Sequence, residues 1–263
     1  MAPNERARQN HEVLFPGYAS KLAGTDPEFI ELFDNFAFDE VSRHGDLDIR
    51  TRLMVQLAAI IACHALTEYR VMLGAALNIG VTPIEAKEVV YQAVPYVGIA
   101  KAIDALHITN DVLLERGIEL PLAGQSTTTP ATRMGKGLAV EKQIIGDARV
   151  DGLYASSPAD QLHIQRFLSG NCFGDTYTRA GLDIPMRELL TFSMLAALGG
   201  CEPQIRGHVA ANQNVGNDRA RLIDVVTQLL PFIGYPRSLN ALKAIDDVLP
   251  SPTEEIKGGP LHG

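Results

Sequence analysis

Apolar residues recur at three- and four-residue spacing along nearly the whole chain, which is the period of helices that bury one face on a shared core. The pattern predicts helices over residues 27–43, entered through Asp26, and 48–62, with Asp48 as N-cap. A third covers 64–79 and is closed by Gly80. Thr82-Pro83-Ile84-Glu85 reads as a capping box with proline in the first turn, because a threonine at the cap and a glutamate three later satisfy orphan amides reciprocally. That helix runs to about residue 94, and another spans 98–116. Later segments are predicted over 160–178, 184–198, 202–215, 218–230 and 235–248. Period-two alternation, Asn-Gly hairpins between apolar runs and glycine-rich phosphate loops are missing, so the fold class is all-α.

The same pattern is written twice, 136 residues apart. Asn78-Ile79-Gly80, Val89-Val90-Tyr91-Gln92 and Pro95-Tyr96-Val97-Gly98 return without a gap as Asn214-Val215-Gly216, Val225-Val226-Thr227-Gln228 and Pro231-Phe232-Ile233-Gly234. A register that keeps Gly and Pro as well as the apolar positions marks an internal repeat of one helical unit. The first unit is read as 24–116 and the second as 135–250. Between them, 117–134 is rich in Thr, Gly and Pro and reads as a linker, and 251–263 as a flexible tail.

Composition narrows the function classes. With 263 residues, 46% of them hydrophobic, the chain can bury a sizeable core. A formal charge of -8 and a pI near 5.4 argue against nucleic acid or an anionic membrane as partner, since both select basic patches. The longest apolar run, 57–63, is too short to span a bilayer and the N-terminal segment has no signal-like apolar stretch, so a cytoplasmic location is expected. Cys63, Cys172 and Cys201 form no C-x-x-C pair, and reduced thiols are expected.

The two copies differ at polar positions, and chemistry is sought there. In the second copy, Gly199-Gly200 ends a helix and Cys201-Glu202-Pro203-Gln204 opens the next, placing Cys201 at the cap, where the dipole favours a thiolate. Steps of three and four residues stack Cys201, Gln204 and His208 on one face. A small cysteine beside two glycines also suits simple packing, and a single histidine on a helix face is commonly structural. No second pair of ligands accompanies them, so no metal is expected. At the constant offset, Glu68 stands opposite Gln204, Arg70 opposite Arg206, Met72 opposite His208 and Arg52 opposite Glu188.

These residues resemble the carboxymuconolactone decarboxylase family, which includes the alkylhydroperoxidase D type proteins. The resemblance is carried by Arg187-Glu188-Leu189-Leu190-Thr191-Phe192, Gly200-Cys201, the His208 to Gly216 spacing and Pro231-Phe232-Ile233-Gly234-Tyr235-Pro236. In the first copy it rests on Glu68, Ala75-Ala76, Gly80-Val81-Thr82-Pro83-Ile84-Glu85 and Tyr96-Val97-Gly98. It implies an all-helical unit assembling six to a ring, hence a homotrimer of two-unit chains. The peroxidase branch uses a glutamate, a C-x-x-C pair and a histidine; Glu188, Cys201 and His208 match, while Gln204 replaces the second cysteine and removes the resolving thiol. The decarboxylase branch resembles a Glu and His four apart; here that pair is split between Glu68 with Met72 and Gln204 with His208.

Three readings follow. The first is a cofactor-independent lyase acting on a small carboxylated or lactone substrate, with His208 as acid, Glu188 orienting it, and Arg206 or Arg70 holding the anion. In the second, a thiol peroxidase uses Cys201. The third is a non-catalytic trimeric scaffold.

Overall fold

The computed structural model describes residues 3–251, so the tail expected after residue 251 lies outside the described residues. Within that range the chain is helical and holds no strand. The first unit comprises α1 (Glu5–Leu14), the short α2 (Leu22–Thr25), α3 (Pro27–Asn35), α4 (Ile49–Cys63), α5 (Leu66–Asn78), α6 (Pro83–Val97) and α7 (Ile99–Glu115). The second comprises α8 (Arg133–Ile145), α9 (Asp147–Ser156), α10 (Leu162–Phe167), α11 (Ile184–Leu198), α12 (Glu202–Asn214) and α13 (Arg219–Val248). α3 continues into a π-helical turn at Phe36–Glu40, and α10 into a longer π-helical stretch at Leu168–Tyr177.

α4 and α11 are mostly apolar and buried along nearly their whole length, which makes them the central helices. Leu53, Leu57, Ile60 and Ile61 of α4, and Leu189, Leu190, Phe192 and Met194 of α11, lose essentially all solvent contact as the two helices pack together. Truncating one such side chain to alanine costs about 2–5 kcal/mol, because the lost transfer energy adds to the cavity left behind. Each central helix is also packed by a helix of the other unit: α6 lies on α11, and α13 on α4. The units are therefore interlocked rather than strung in series.

Local chemistry sets the helix ends. Asp48 accepts the Thr51 amide at 2.9 Å, and Asp183 accepts that of Met186 at the same distance. The capping box is formed: Thr82 Oγ1 accepts from the Glu85 amide at 3.2 Å, and Glu85 Oε2 from the Thr82 amide at 2.9 Å. α13 is two helices broken at Gly234, where φ is 74°; Gly98, between α6 and α7, has φ 81°. Both sites need glycine, because a Cβ is disfavoured at those angles.

The repeat is longer than periodicity indicates. α1 precedes residue 24 yet is the counterpart of α8: Asn78 Nδ2 donates to the carbonyl of Leu14 at the end of α1, and Asn214 Nδ2 to that of Ile144 in the last turn of α8, both at 2.9 Å. The helix caps also correct the register. Asp48 and Asp183 are 135 residues apart, whereas the next pair of caps, Ala65 and Cys201, are 136 apart, so the second unit carries one extra residue between α11 and α12. Arg52 therefore matches Arg187, and the residue opposite Glu188 is Leu53.

α8 approaches the π-helical stretch so closely that side chains are excluded. A Cβ on Gly174 would lie 2.3 Å from the Arg133 carbonyl oxygen, and one on Gly137 would lie 1.9 Å from that of Ser169. Gly124, in the inter-unit segment, has nothing within 4 Å of such a Cβ. Gly174→Ala should therefore destabilise the protein by about 1–3 kcal/mol through overpacking against backbone, while Gly124→Ala stays within about 0.5 kcal/mol. Urea denaturation of both variants checks this; an unshifted midpoint for Gly174→Ala would contradict the close approach.

Candidate functional site

Glu188 lies in the second turn of α11 with no exposed surface. His208 sits midway along α12 and is 17% exposed. Packing of the two helices brings His208 Nδ1 to 2.8 Å from Glu188 Oε2. The other carboxylate oxygen, Oε1, accepts from Tyr177 Oη at 2.6 Å. Tyr177 ends the π-helical stretch, and helical irregularities of this kind commonly re-aim side chains at functional sites.

The polarity of this chain of bonds is set from its far end. Arg187, fully buried, can only donate, so Gln92 Oε1 accepts from its Nη1 at 3.0 Å and the Gln92 amide nitrogen faces Thr191. Gln92 Nε2 donates to Thr191 Oγ1 at 3.0 Å, Thr191 donates to Tyr177 Oη at 2.9 Å, and Tyr177 spends its one proton on Glu188. Tyr96 Oη lies 2.8 Å from Tyr177 Oη and serves as a second donor to it, while the Cys172 thiol donates to Tyr96 at 3.7 Å. Every bond points toward the Glu188 carboxylate. With that acceptor ionised, His208 is held with its proton on Nδ1 and its Nε2 free for other chemistry.

The site is built from both units. Tyr96 and Gln92 come from α6, and the Tyr96 ring meets the His208 imidazole edge to face at 5.5 Å between centroids. A buried ion-pair cluster pins this inter-unit contact. Glu88 of α6 is 2.8 Å from Arg187 and 2.7 Å from Arg179. Removing one partner of such a group costs about 3–5 kcal/mol by stranding the remaining charge. The equivalent positions of the duplicate are apolar: Leu53 for Glu188 and Met72 for His208 in the first unit, and Phe232 of α13 for Tyr96.

The other sequence candidates lie elsewhere. Cys201 caps α12 as read, but its thiol donates to the Leu195 carbonyl at 3.3 Å and burial pushes its pKa up, with the Glu202 charge adding to the effect. Desolvation at the cap thus outweighs the helix dipole that the sequence reading relied on. Burial likewise raises Cys63, and holds Cys172 at about 12. Gln204 is exposed on α12. Arg206 pairs with Asp247 at 3.5 Å, and Arg70 with Glu115. Glu68 is half-buried beside a separate cavity in the first unit. An exposed cation outside the sequence candidates lies beside α12: Arg149 of α9 reaches within 3.7 Å of where a Cβ on Gly207 would be, and has no carboxylate partner among the described residues.

Comparison with known proteins follows this architecture. The model of the carboxymuconolactone decarboxylase family matches the chain twice, over residues 27–111 and 163–247. The chain belongs to that family. It is 32% identical over 116 residues to a 4-carboxymuconolactone decarboxylase of Acinetobacter baylyi (strain ATCC 33305 / BD413 / ADP1), covering 44% of this chain and 86% of the relative. It is 30% identical over 107 residues to an uncharacterized 15.0 kDa protein of Paracoccus denitrificans, covering 40% of this chain and 75% of that one. A crystal structure from Burkholderia xenovorans LB400, provisionally named a gamma-carboxymuconolactone decarboxylase subunit, superposes with a TM-score of 0.54 at 23% identity, covering 92% of this chain and 96% of its own. That likeness speaks to the fold. Among the described residues, no helix is long and apolar enough to cross a membrane.

Desolvation raises the Glu68 carboxyl above its ordinary range, and nothing charged offsets it. A carboxyl raised by folding is easier to protonate in the native state, so its penalty is absent below the unfolded-state pKa and grows as pH rises through the folded one. Glu68→Gln should therefore be more stable than the parent at neutral pH. The two should converge in acid, below the ordinary glutamate value of 4.5. Melting temperatures measured across that range check the sign; a variant less stable at neutral pH would contradict it.

Proposed function

We propose that this member of the family is a cofactor-independent lyase that decarboxylates a small anionic, carboxylated or lactone substrate by acid–base chemistry centred on His208. The observation that carries the reading is the Nδ1 bond to the buried Glu188 carboxylate, which leaves Nε2 as the partly exposed proton carrier. In the reaction the C–C bond to the substrate carboxylate breaks and CO2 leaves. The electron pair delocalises into an adjacent conjugated carbonyl; His208, with Nδ1–H held on Glu188, takes a proton from solvent on Nε2 and delivers it to that carbon, so that one proton is consumed for each CO2 released. Arg149 is the residue we assign to the substrate's anionic end, because its guanidinium lies beside α12 at Gly207 and has no carboxylate partner among the described residues. Arg206 and Arg70, the alternatives from sequence, are engaged in surface ion pairs.

The thiol peroxidase alternative asks for a stabilised thiolate and a resolving partner. Burial opposes ionisation at all three cysteines, and the hydrogen-bond partner of Cys201 is a backbone carbonyl. Assembly as a homotrimer is supported by one feature of the surface. Ile99 and Ile103 of α7 are exposed, and so are Tyr235 and Leu239, their equivalents in the second half of α13. Paired apolar positions on both units suit a ring in which the units alternate as neighbours. Assembly leaves room for a purely scaffolding role only if His208 has no chemistry.

On 4-carboxymuconolactone and related lactone acids, His208→Ala should lower kcat by about 10²–10⁴-fold, the usual range for a lost general acid. Glu188→Gln should follow it, and Cys201→Ser should leave turnover unchanged. Undiminished decarboxylation in His208→Ala, or a peroxide turnover abolished by Cys201→Ser, would overturn the assignment.

A further inference from the structure

The first unit has a cavity beside α5, the counterpart of α12. It measures about 320 Å³, at the lower end of the range for small-molecule sites. Its walls are aromatic: Phe15, Phe33 and Phe38 from the first unit, Phe232 from α13 of the second, and Phe29 at the mouth, 58% exposed. Phe232 is the counterpart of Tyr96 in the duplicated architecture. Leu53 and Met72, which stand at the positions of Glu188 and His208, are fully buried and do not line the cavity.

One polar group stands out on the apolar wall. Glu68, in the first turn of α5, lines the cavity and has no hydrogen-bond donor or cation partner among the described residues. Asp34 and His11 also line it, and those two are within electrostatic reach of one another. A carboxyl group removed from water without a partner costs free energy, and the cost is recovered only when a guest brings a donor or a positive charge. Aromatic faces carry a negative quadrupole and favour cations over anions. Acidic groups on aromatic walls therefore select against the anionic substrate assigned to the dyad.

We infer that the first-unit cavity is a second, non-catalytic ligand site for a small hydrophobic ammonium compound, its apolar body held among the phenylalanines and its charged nitrogen on Glu68. The site is independent of the reaction at His208. Isothermal titration with phenethylammonium, phenylacetate and 2-phenylethanol, three probes of one shape and different charge, tests it. Phenethylammonium should bind once per chain, and phenylacetate at least about tenfold more weakly, a difference of about 1.4 kcal/mol. Glu68→Gln should weaken the ammonium probe by a similar factor, whereas Glu119→Gln, which removes an exposed charge elsewhere, should leave it unchanged. The melting temperature of Glu68→Gln establishes that the variant is folded. Failure of phenethylammonium to bind, equal affinity for all three probes, or full affinity in Glu68→Gln would overturn the proposal.

Discussion

A carboxylate with no contact to solvent is the constraint from which the site follows. Leaving Glu188 ionised inside helix packing without partners would cost several kcal/mol of desolvation, more than a typical single interaction can offset. Its two oxygens are accordingly assigned, one to Tyr177 and one to His208. Because Tyr177 accepts from Thr191 and Tyr96, and Thr191 accepts from Gln92, the proton on each hydroxyl has one place to go. A network satisfied in this way is rigid, and its rigidity reaches the imidazole, whose orientation and tautomer are fixed by a group that never touches solvent.

Duplication explains how a helical protein of this size gathers so many buried polar groups. The interlocking of α6 with α11 and of α13 with α4 means that each unit supplies part of the other's interior. Gln92 and Gln228 are equivalent residues that serve this junction differently. Gln92 feeds the proton chain through Thr191, while Gln228 donates to the carbonyls of Val41 and His44 in the first unit. One copy of the junction kept its polar function and the other became structural. The same divergence sets Leu53 and Met72 in the first unit where the second has the acid and the imidazole.

Much of the architecture was legible in the residues. The all-α class, the duplication, the Asp48 cap and the Thr82 capping box follow from periodicity and local hydrogen-bond chemistry, which act within a few residues. α1 and α8 were not, because Glu-Arg-Ala-Arg-Gln-Asn offers a single small apolar residue, and Gly135 and Gly137 weaken helix propensity, Gly137 where close approach to the Ser169 carbonyl demands it. Of the candidate site, Glu188 and His208 are read correctly as neighbours from the family resemblance, since the structure brings them into contact. Tyr177, Tyr96, Gln92 and Thr191 escape a one-dimensional reading. They meet only through the π-helical stretch and the packing of one unit on the other, and spacing along the chain does not encode either. The thiol of Cys201 misleads for a related reason: its helix-cap position is local, but its desolvation is tertiary.

The most direct measurement is of the histidine itself. Nitrogen-15 and proton correlation spectra of the protein, with His208 identified by comparison with His208→Gln, report which ring nitrogen carries the proton when the imidazole is neutral. The hydrogen-bond polarity described here predicts a protonated Nδ1 and an Nε2 without a proton, a pattern lost in Glu188→Gln. A neutral His208 protonated on Nε2 in the parent protein would contradict the account.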